Sequence, residues 1–352
     1  MKKVLGIFRG FPGLGRVVSG VSLLETLRDD YECEIKIITY LQGNEYLKTR
    51  GYAKIYEAIP MDYCSIGLLP TNQMGVHIHS IIKTFTPDVV IIDGEPLILH
   101  SLKISYPNLK IVALLNPSDV DNPQNDKEAM DYFNELYSLS DLAIIHGLRK
   151  VVPHYNYKKV VSIDTILRDE VLRINNIKSN NIYCVLGGGT VNVGHQFVES
   201  SIRIGELCKE VAASLKDYKM HIVCSSQNIY NALNKNVFDK NVVLHKNVLD
   251  VNYYYTDACL VITRSGRNSL SELAYLGIPT ISFVSGCEYR RAEQEQNIKS
   301  LDLQNIVIES LDCTSASFLS LCVKMIATKT YCNSFCCGNK IAINNILNLL
   351  DF

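Results

Sequence analysis

Residues 260–284 read LVITRSGRNSLSELAYLGIPTISFV. A β-branched run, Leu260–Thr263, stops at Ser265-Gly266. A short helical stretch follows, and Gly277-Ile278-Pro279 leads into a second β-branched run, Thr280–Val284. Strand, helix and strand in direct succession predict a βαβ unit and a parallel sheet. Leu270, Leu273 and Ala274 supply the core stripe of the helix. The helix start is crowded with polar groups: Arg264, Ser265, Gly266, Arg267, Asn268, Ser269 and Glu272. First-turn N–H groups and the positive end of the helix dipole favour an anion. Ser269 and Glu272 are three apart and share a face. A serine hydroxyl can donate to a phosphate oxygen, and a carboxylate one turn on can accept from two ribose hydroxyls. The same spacing is that of a capping box, S-x-x-E, with no ligand; spacing alone leaves both readings level.

The alternation extends in both directions. Strands are predicted at Lys3–Phe8, Cys33–Thr39, Val89–Ile92, Lys110–Leu114, Leu142–Ile145 and Val160–Ile163, with helices at Val18–Leu27, Val76–Thr84 and Lys127–Leu139. A polar, asparagine-rich stretch, Leu167–Asn181, reads as a linker. A second series follows, with strands at Ile182–Leu186, Met220–Cys224, Val242–His245, Leu260–Thr263, Thr280–Val284 and Ile306–Ile308. Its helices are predicted at Phe197–Leu215, Ile229–Asn234, Asn268–Leu276, Glu293–Leu301, Thr314–Ala327 and Lys340–Leu350. The fold class is therefore α/β, with two Rossmann-like domains, 1–166 and 182–335, facing a cleft. The last helix, within 336–352, crosses back to the first domain. In open parallel sheets, ligands sit beyond the carboxyl ends of the strands.

Bulk properties agree. At roughly 150 residues per domain, 352 residues suggest two domains. Apolar residues make up 47% and charged residues 20%, enough to bury a sizeable core. A formal charge of −1 and no basic run argue against a nucleic-acid partner, while leaving open peripheral membrane contact through a local basic patch. The start, MKKVLGIFRGFPG, is interrupted by Arg9 and Gly10 and reads as a first core strand rather than a signal peptide. No stretch approaches the ~20 apolar residues of a membrane span, so a cytoplasmic location is expected. Most of the twelve cysteines are scattered singly in apolar surroundings, among them Cys33, Cys184, Cys224 and Cys259, as reduced core residues are. Cys332, Cys336 and Cys337 cluster, but no second ligand pair follows at zinc-like spacing.

Two further glycine-rich turns follow predicted strands. One is Gly10-Phe-Pro-Gly13-Leu-Gly15-Arg16. It lacks the GxGxxG spacing and the acidic residue of a nicotinamide dinucleotide site, and it is open to both a ligand and a bare turn. The other is Gly187-Gly188-Gly189-Thr190. Three successive glycines are costly in chain entropy and suit close backbone approach to a phosphate. After Thr280–Val284, the run EQEQN places Glu293, Gln294 and Asn297 near a helix start. Planar amides and carboxylates match sugar hydroxyls, although a lone EQEQN also suits a solvated helix face.

In order, the chain presents Gly187–Gly189, HKNVLDVNYYYTDACLVI, Arg264, Gly266, Ser269, Glu272, Gly277, Pro279, Gln294 and Asn297. This set resembles the nucleotide-sugar site of GT-B glycosyltransferases, and above all the family 28-like group containing the peptidoglycan lipid-intermediate N-acetylglucosaminyltransferase. The resemblance is closest over Ile182–Leu301. It implies a donor site of Gly187, Gly188, Gly189, Thr190, Val248, Leu249, Arg264, Ser265, Gly266, Asn268, Ser269, Glu272, Glu293, Gln294 and Asn297. Within it, Gly188, Gly189 and Ser269 would touch the diphosphate and Glu272 the ribose. Val248 and Leu249 would hold the base, and Glu293, Gln294 and Asn297 would meet the sugar. Helix-end and glycine-loop amides can stabilise a departing nucleotide diphosphate as preorganised dipoles, with added charge from Arg264 or Arg267; neither metal nor cofactor is expected.

The N-terminal half departs from the family pattern. Where such enzymes commonly carry G-x-G-H on the acceptor side, this chain has Gly13, Gly15 and Arg16, and arginine is no general base at neutral pH. VVIIDGEP resembles the D-x-E-P run of related transferases, which puts Asp93 and Glu95 at a strand end. Asp119, in NPSDVDNP, is a third candidate base, and His100 a weaker one. A carboxylate would serve if burial raised its pKa. The expected activity is an inverting, metal-independent transfer of a sugar from a nucleotide-sugar, UDP-linked by family frequency, to an unknown acceptor. The alternatives are a nucleotide-sugar hydrolase or epimerase, or a non-catalytic nucleotide-sugar-binding protein.

Overall fold

A computed structural model describes residues 1–10, 13–53, 70–122, 126–153, 155–187, 194–235, 239–246, 248–284, 288–299, 301, 305–328 and 335–351. The chain divides into two compact units, one of Met1–Arg168 with Cys337–Phe352 and one of Asp169–Cys336.

The first unit runs β1 (Lys3–Phe8), α1 (Gly15–Tyr31), β2 (Glu34–Ile38), α2 (Gln42–Thr49), α3 (Pro70–Phe85), β3 (Val89–Asp93), α4 (Pro96–Ser105), β4 (Lys110–Leu115), α5 (Pro117–Val120), α6 (Lys127–Ser138), β5 (Leu142–His146) and β6 (Val160–Ile163). All its strands pair in parallel, in the order β2-β1-β3-β4-β5-β6. Helices cover both faces of a parallel sheet, so its strands read as unbroken apolar runs rather than alternating ones. Successive side chains still point to opposite faces. Val4 and Phe8 join Val89 and Ile91 under α1, while Leu5 and Ile7 join Val90 and Ile92 against α3 and α4.

The second unit runs α7 (Asp169–Arg173), β7 (Asn181–Leu186), α8 (Gly194–Ala212), β8 (Lys219–Cys224), α9 (Gln227–Leu233), β9 (Val242–Lys246), α10 (Asn252–Tyr255), β10 (Ala258–Arg264), α11 (Arg267–Leu276), β11 (Thr280–Phe283), α12 (Glu288–Lys299), β12 (Ile306–Glu309) and α13 (Ser315–Ala327). Its sheet is again parallel, in the order β12-β11-β10-β7-β8-β9. One face packs Ile182, Cys184 and Leu186 of β7 with Leu207 and Val211 of α8 and Phe318 and Met325 of α13. Burying one such aliphatic or aromatic side chain is worth ~1.5–3 kcal/mol. Cys184, Cys208 and Cys322 lie in this core as free thiols. The Gly-Ile-Pro punctuation ends α11: Gly277 is left-handed, at φ 65°, which costs a glycine little. The Pro279 carbonyl then accepts from Val261 N at 2.9 Å, setting β11 beside β10.

The last helix, α14 (Asn339–Leu350), packs on the first unit through Ala342, Ile343, Ile346 and Leu350. Its first residue is a buried asparagine that pairs both ways with one peptide unit. Asn339 Nδ2 donates to Leu167 O at 2.8 Å, and Leu167 N donates to Asn339 Oδ1 at 2.9 Å. The polar stretch read as a linker is also hydrogen-bonded further on, where Asn176 Nδ2 donates to Tyr255 O at 2.7 Å and Ala258 O at 3.1 Å. Polarity here reflects amides chosen to satisfy backbone groups as much as solvent exposure. No helix among the described residues is long and apolar enough to cross a membrane.

Candidate functional site

Each sheet has one place where strand order reverses, between β1 and β3 in the first unit and between β7 and β10 in the second. Such switch points open a crevice beyond the strand ends where ligands bind.

In the second unit, Gly187 follows β7 and Arg264 ends β10. The Arg264 side chain spans the switch point: Nη1 donates to Gly187 O at 3.4 Å and to Ser201 Oγ at 3.5 Å. Gly188, Gly189 and Thr190 lie outside the described residues. Ser265 turns inward. Its hydroxyl shares a 2.6 Å hydrogen bond with Ser282 and its N–H donates to Phe283 O, so it shapes the turn. Gly266 is the N-cap of α11 and has no side chain to offer the first-turn amides. Ser269 is the third helical residue, not the cap, so the S-x-x-E spacing forms no capping box. What remains is a helix start of Arg267, Asn268 and Ser269 at the carboxyl end of a central strand, the arrangement that receives phosphates.

Glu272 lies one turn deeper. It is 1% exposed, and the Tyr255 hydroxyl donates to its Oε2 at 3.3 Å. Val248 and Leu249 are half-buried between β9 and α10. On α12, Gln294 and Asn297 are three apart and buried, with Glu293 half-buried beside them. Asn297 Nδ2 is buried and has no hydrogen-bond partner among the described residues. Buried donors in folded proteins are nearly always paired, which makes this amide a candidate for contact with a ligand acceptor.

The switch point of the first unit is a charge cluster. Gly13 precedes α1, Gly15 begins it, and Arg16 is its second residue. Arg16 Nη1 donates to Asp93 Oδ1, and Nη2 donates to Asp119 Oδ1 at 2.7 Å. Asp119 Oδ2 accepts from Asn116 N at 2.8 Å as part of the α5 capping box, so both of its oxygens are committed. Glu95 is fully buried. Its Oε1 accepts from the Tyr40 hydroxyl at 2.6 Å and lies 3.7 Å from Arg9 Nε. Its Oε2 has no hydrogen-bond partner among the described residues. Gly94 carries φ 83°, and a Cβ there would lie 2.7 Å from Arg9 Cβ and 2.8 Å from Arg16 Cδ. The glycine therefore lets two arginines close over two carboxyls. His100 sits half-buried on α4.

The candidate bases differ electrostatically. Burial pushes Asp119 up, but the Arg16 charge and hydrogen bond, with the Asn116 N–H, hold it below the ordinary carboxylate range. Burial pushes Glu95 above its ordinary value despite Arg9 and Tyr40. Arg16 is held protonated well above its ordinary value because its two aspartates outweigh its desolvation.

Sequence reasoning did not single out Arg9, Tyr40 or Tyr255. Arg9 and Tyr40 lie just past strand ends and Tyr255 ends the short α10, and each reaches a carboxylate on another element, so only those end positions hinted at them. Among the described residues, no three His, Cys, Asp or Glu side chains are grouped to hold a metal ion; Cys332 lies outside them.

Comparison with curated proteins gives no match. Residues 190–316 match the glycosyltransferase family 28 C-terminal domain. Among solved structures, MurG of Acinetobacter baumannii is 15% identical with a TM-score of 0.60, covering 99% of this chain and 100% of that one. The glycotransferase of kitacinnamycin is 13% identical with a TM-score of 0.65, covering 99% of each chain. The UDP-GlcNAc 2-epimerase of Neisseria meningitidis, bound to UDP-GlcNAc, is 15% identical with a TM-score of 0.59, covering 98% of this chain and 100% of that one. The chain thus has the GT-B fold and resembles the glycosyltransferases of family 28, whose C-terminal domain its residues 190–316 match.

Proposed function

We propose that the protein is an inverting glycosyltransferase that moves a sugar from a nucleotide-sugar donor, UDP-linked, to an acceptor nucleophile. The observation that carries this reading is the β7/β10 switch point. The glycine-capped start of α11 lies at a strand end there, with Glu272 buried behind it. The amides of Arg267–Ser269 would receive the diphosphate and stabilise charge building on it as the glycosidic bond breaks. Glu272 would accept from the ribose hydroxyls, and Gln294 with Asn297 would hold the sugar. Helix-end dipoles supply the leaving-group stabilisation, so the mechanism needs no metal.

Glu95 is the candidate general base. Burial pushes it upward where Asp119 is held down, and its Oε2 has no hydrogen-bond partner among the described residues. Asp93 and Asp119 instead hold Arg16. Glu95 would take the proton of an acceptor nucleophile.

A panel of nucleotide-sugars tests the reading by thermal shift, since a ligand at ~100 times its Kd stabilises by about 2.7 kcal/mol. The best binder is then incubated alone and with acceptors. Release of nucleotide diphosphate that depends on an acceptor supports transfer. Epimer or free sugar formed without one supports the second reading, an epimerase or hydrolase, which the likeness to an epimerase structure favours. Absence of any binder overturns both.

A further inference from the structure

We infer that Tyr255 is a positioning residue that fixes the Glu272 carboxylate for a ribose. The inference rests on the nucleotide reading of Glu272 above. Three consecutive tyrosines, Tyr253 to Tyr255, occupy α10 just after the Val248–Leu249 stretch, and they face different partners. Tyr253 Oη lies 3.4 Å from His245 Nδ1. Tyr254 packs edge-on to Tyr255, with ring centroids 4.7 Å apart. Tyr255 reaches across to α11, donating to Glu272 Oε2 at 3.3 Å.

Tyr255 is itself held rigidly. Its N–H donates to Val251 O at 2.8 Å, its carbonyl accepts from Asn176 at 2.7 Å, and its side chain is 2% exposed. A carboxylate has about four lone-pair sites on two oxygens. A tyrosine hydroxyl placed on Oε2 takes one of them and fixes the torsion of the group. A rigid acceptor loses less on binding than a mobile one. The same contact ties the ribose carboxylate to α10, and so to the segment that follows β9.

The test is titration calorimetry with four matched pairs: the diphosphates of uridine, cytidine, adenosine and guanosine, each beside its 2′,3′-dideoxy analogue. For the tightest base, the wild type should prefer the ribose form. E272Q should abolish that preference. Y255F should reduce it about three- to tenfold, the scale of one ordinary hydrogen bond, and leave the dideoxy affinity unchanged. The double variant should match E272Q, because two residues acting through one contact are not additive. Loss of preference in E272Q but full preference in Y255F overturns the positioning role while sparing Glu272. Equal weakening of both analogues by Y255F reduces Tyr255 to packing and overturns it likewise. Full preference in E272Q, or no binding of any diphosphate, overturns the ribose reading and the proposal together.

Discussion

Arg16 and Asp119 form a 2.7 Å ion pair across 103 residues of chain, and the same guanidinium also holds the buried Asp93. The residue that stands where the family pattern has a histidine is therefore a clamp joining the start of α1 to the end of β3 and to α5. Breaking a buried pair from one side strands the other charge, typically at about 3–5 kcal/mol. R16A should fall near the lower end of that range in urea unfolding, because Asp119 is 22% exposed and solvent relieves part of its loss. A loss under about 1 kcal/mol would show that the pair contributes as little as a surface one.

The direction of the Asp119 shift gives the acid dependence of that contribution. Its pKa is lower folded than unfolded, so the unfolded chain binds the proton more readily. Its stabilisation is complete above the unfolded value of 3.8 and is lost as pH falls through the lower folded one. D119N removes this group, so the stability gap between wild type and variant should narrow on acidification below 3.8. A gap that stays constant there contradicts the assignment.

Glu95 carries the opposite sign. Burial raises its folded pKa above 4.5, so its stabilising contribution is present below that value and is lost as pH rises through the folded one. E95Q should therefore gain stability relative to wild type as pH rises from 4.5 toward neutrality. The ionised form is the working base, so the acid limb of kcat/KM should lie above the ordinary carboxylate range and vanish with the residual activity of E95Q. An unshifted acid limb at the ordinary glutamate value would remove Glu95 from the chemistry.

Asn297 separates sugar recognition from nucleotide recognition. Its buried Nδ2 has no partner among the described residues, so N297A forfeits little within the protein itself. The variant should bind nucleotide-sugar about 2- to 10-fold more weakly, one ordinary hydrogen bond, and bind the nucleotide diphosphate unchanged. Calorimetry with both ligands checks this. Equal loss for both would move Asn297 off the sugar.

Every strand of both sheets was legible in the sequence, because a parallel sheet covered on both faces demands unbroken apolar runs such as residues 89–92 and 258–262. Most long amphipathic helices were equally clear. The short α2, α5, α7 and α10 were not, nor was α4: the short ones carry too few turns to show a period, and α4 and α5 start at a proline that reads as a loop. At the candidate site, the crowding around Ser269 and Glu272 was visible but its meaning was split. The glycine cap divides the two readings, since cap position depends on where the helix begins, and helix starts are uncertain by a residue or two. The Arg16 clamp was hidden for a different reason. An arginine and two aspartates scattered over 103 residues carry no spacing signal, and only the order of the strands brings them together.

A histidine ladder on the second sheet gives the last prediction. His221 on β8 and His245 on β9 sit on adjacent parallel strands, with Nδ1 of the first 2.9 Å from Nε2 of the second. Tyr183 of β7 stacks on His221 at 4.6 Å, Asn181 Oδ1 lies 3.3 Å from its Nε2, and Asp257 accepts from Tyr183 at 3.0 Å. One histidine must donate and the other accept, so a second proton breaks the contact and places two cations together. Burial, His245 and Lys219 all lower the His221 pKa, outweighing Asp257, to about 4. The unfolded value is 6.5, so the unfolded chain takes up the proton first as pH falls. Stability held above 6.5 should drain away between 6.5 and about 4. The loss is on the order of 3 kcal/mol, since a tenfold change in proton affinity is worth about 1.4 kcal/mol. H221Q keeps a planar hydrogen-bonding group but cannot titrate. Its urea midpoint should vary less with pH between 4 and 6.5 than that of the wild type, and it should overtake the wild type at the acid end. Parallel pH curves for the two proteins would show that the ladder takes no part in acid unfolding.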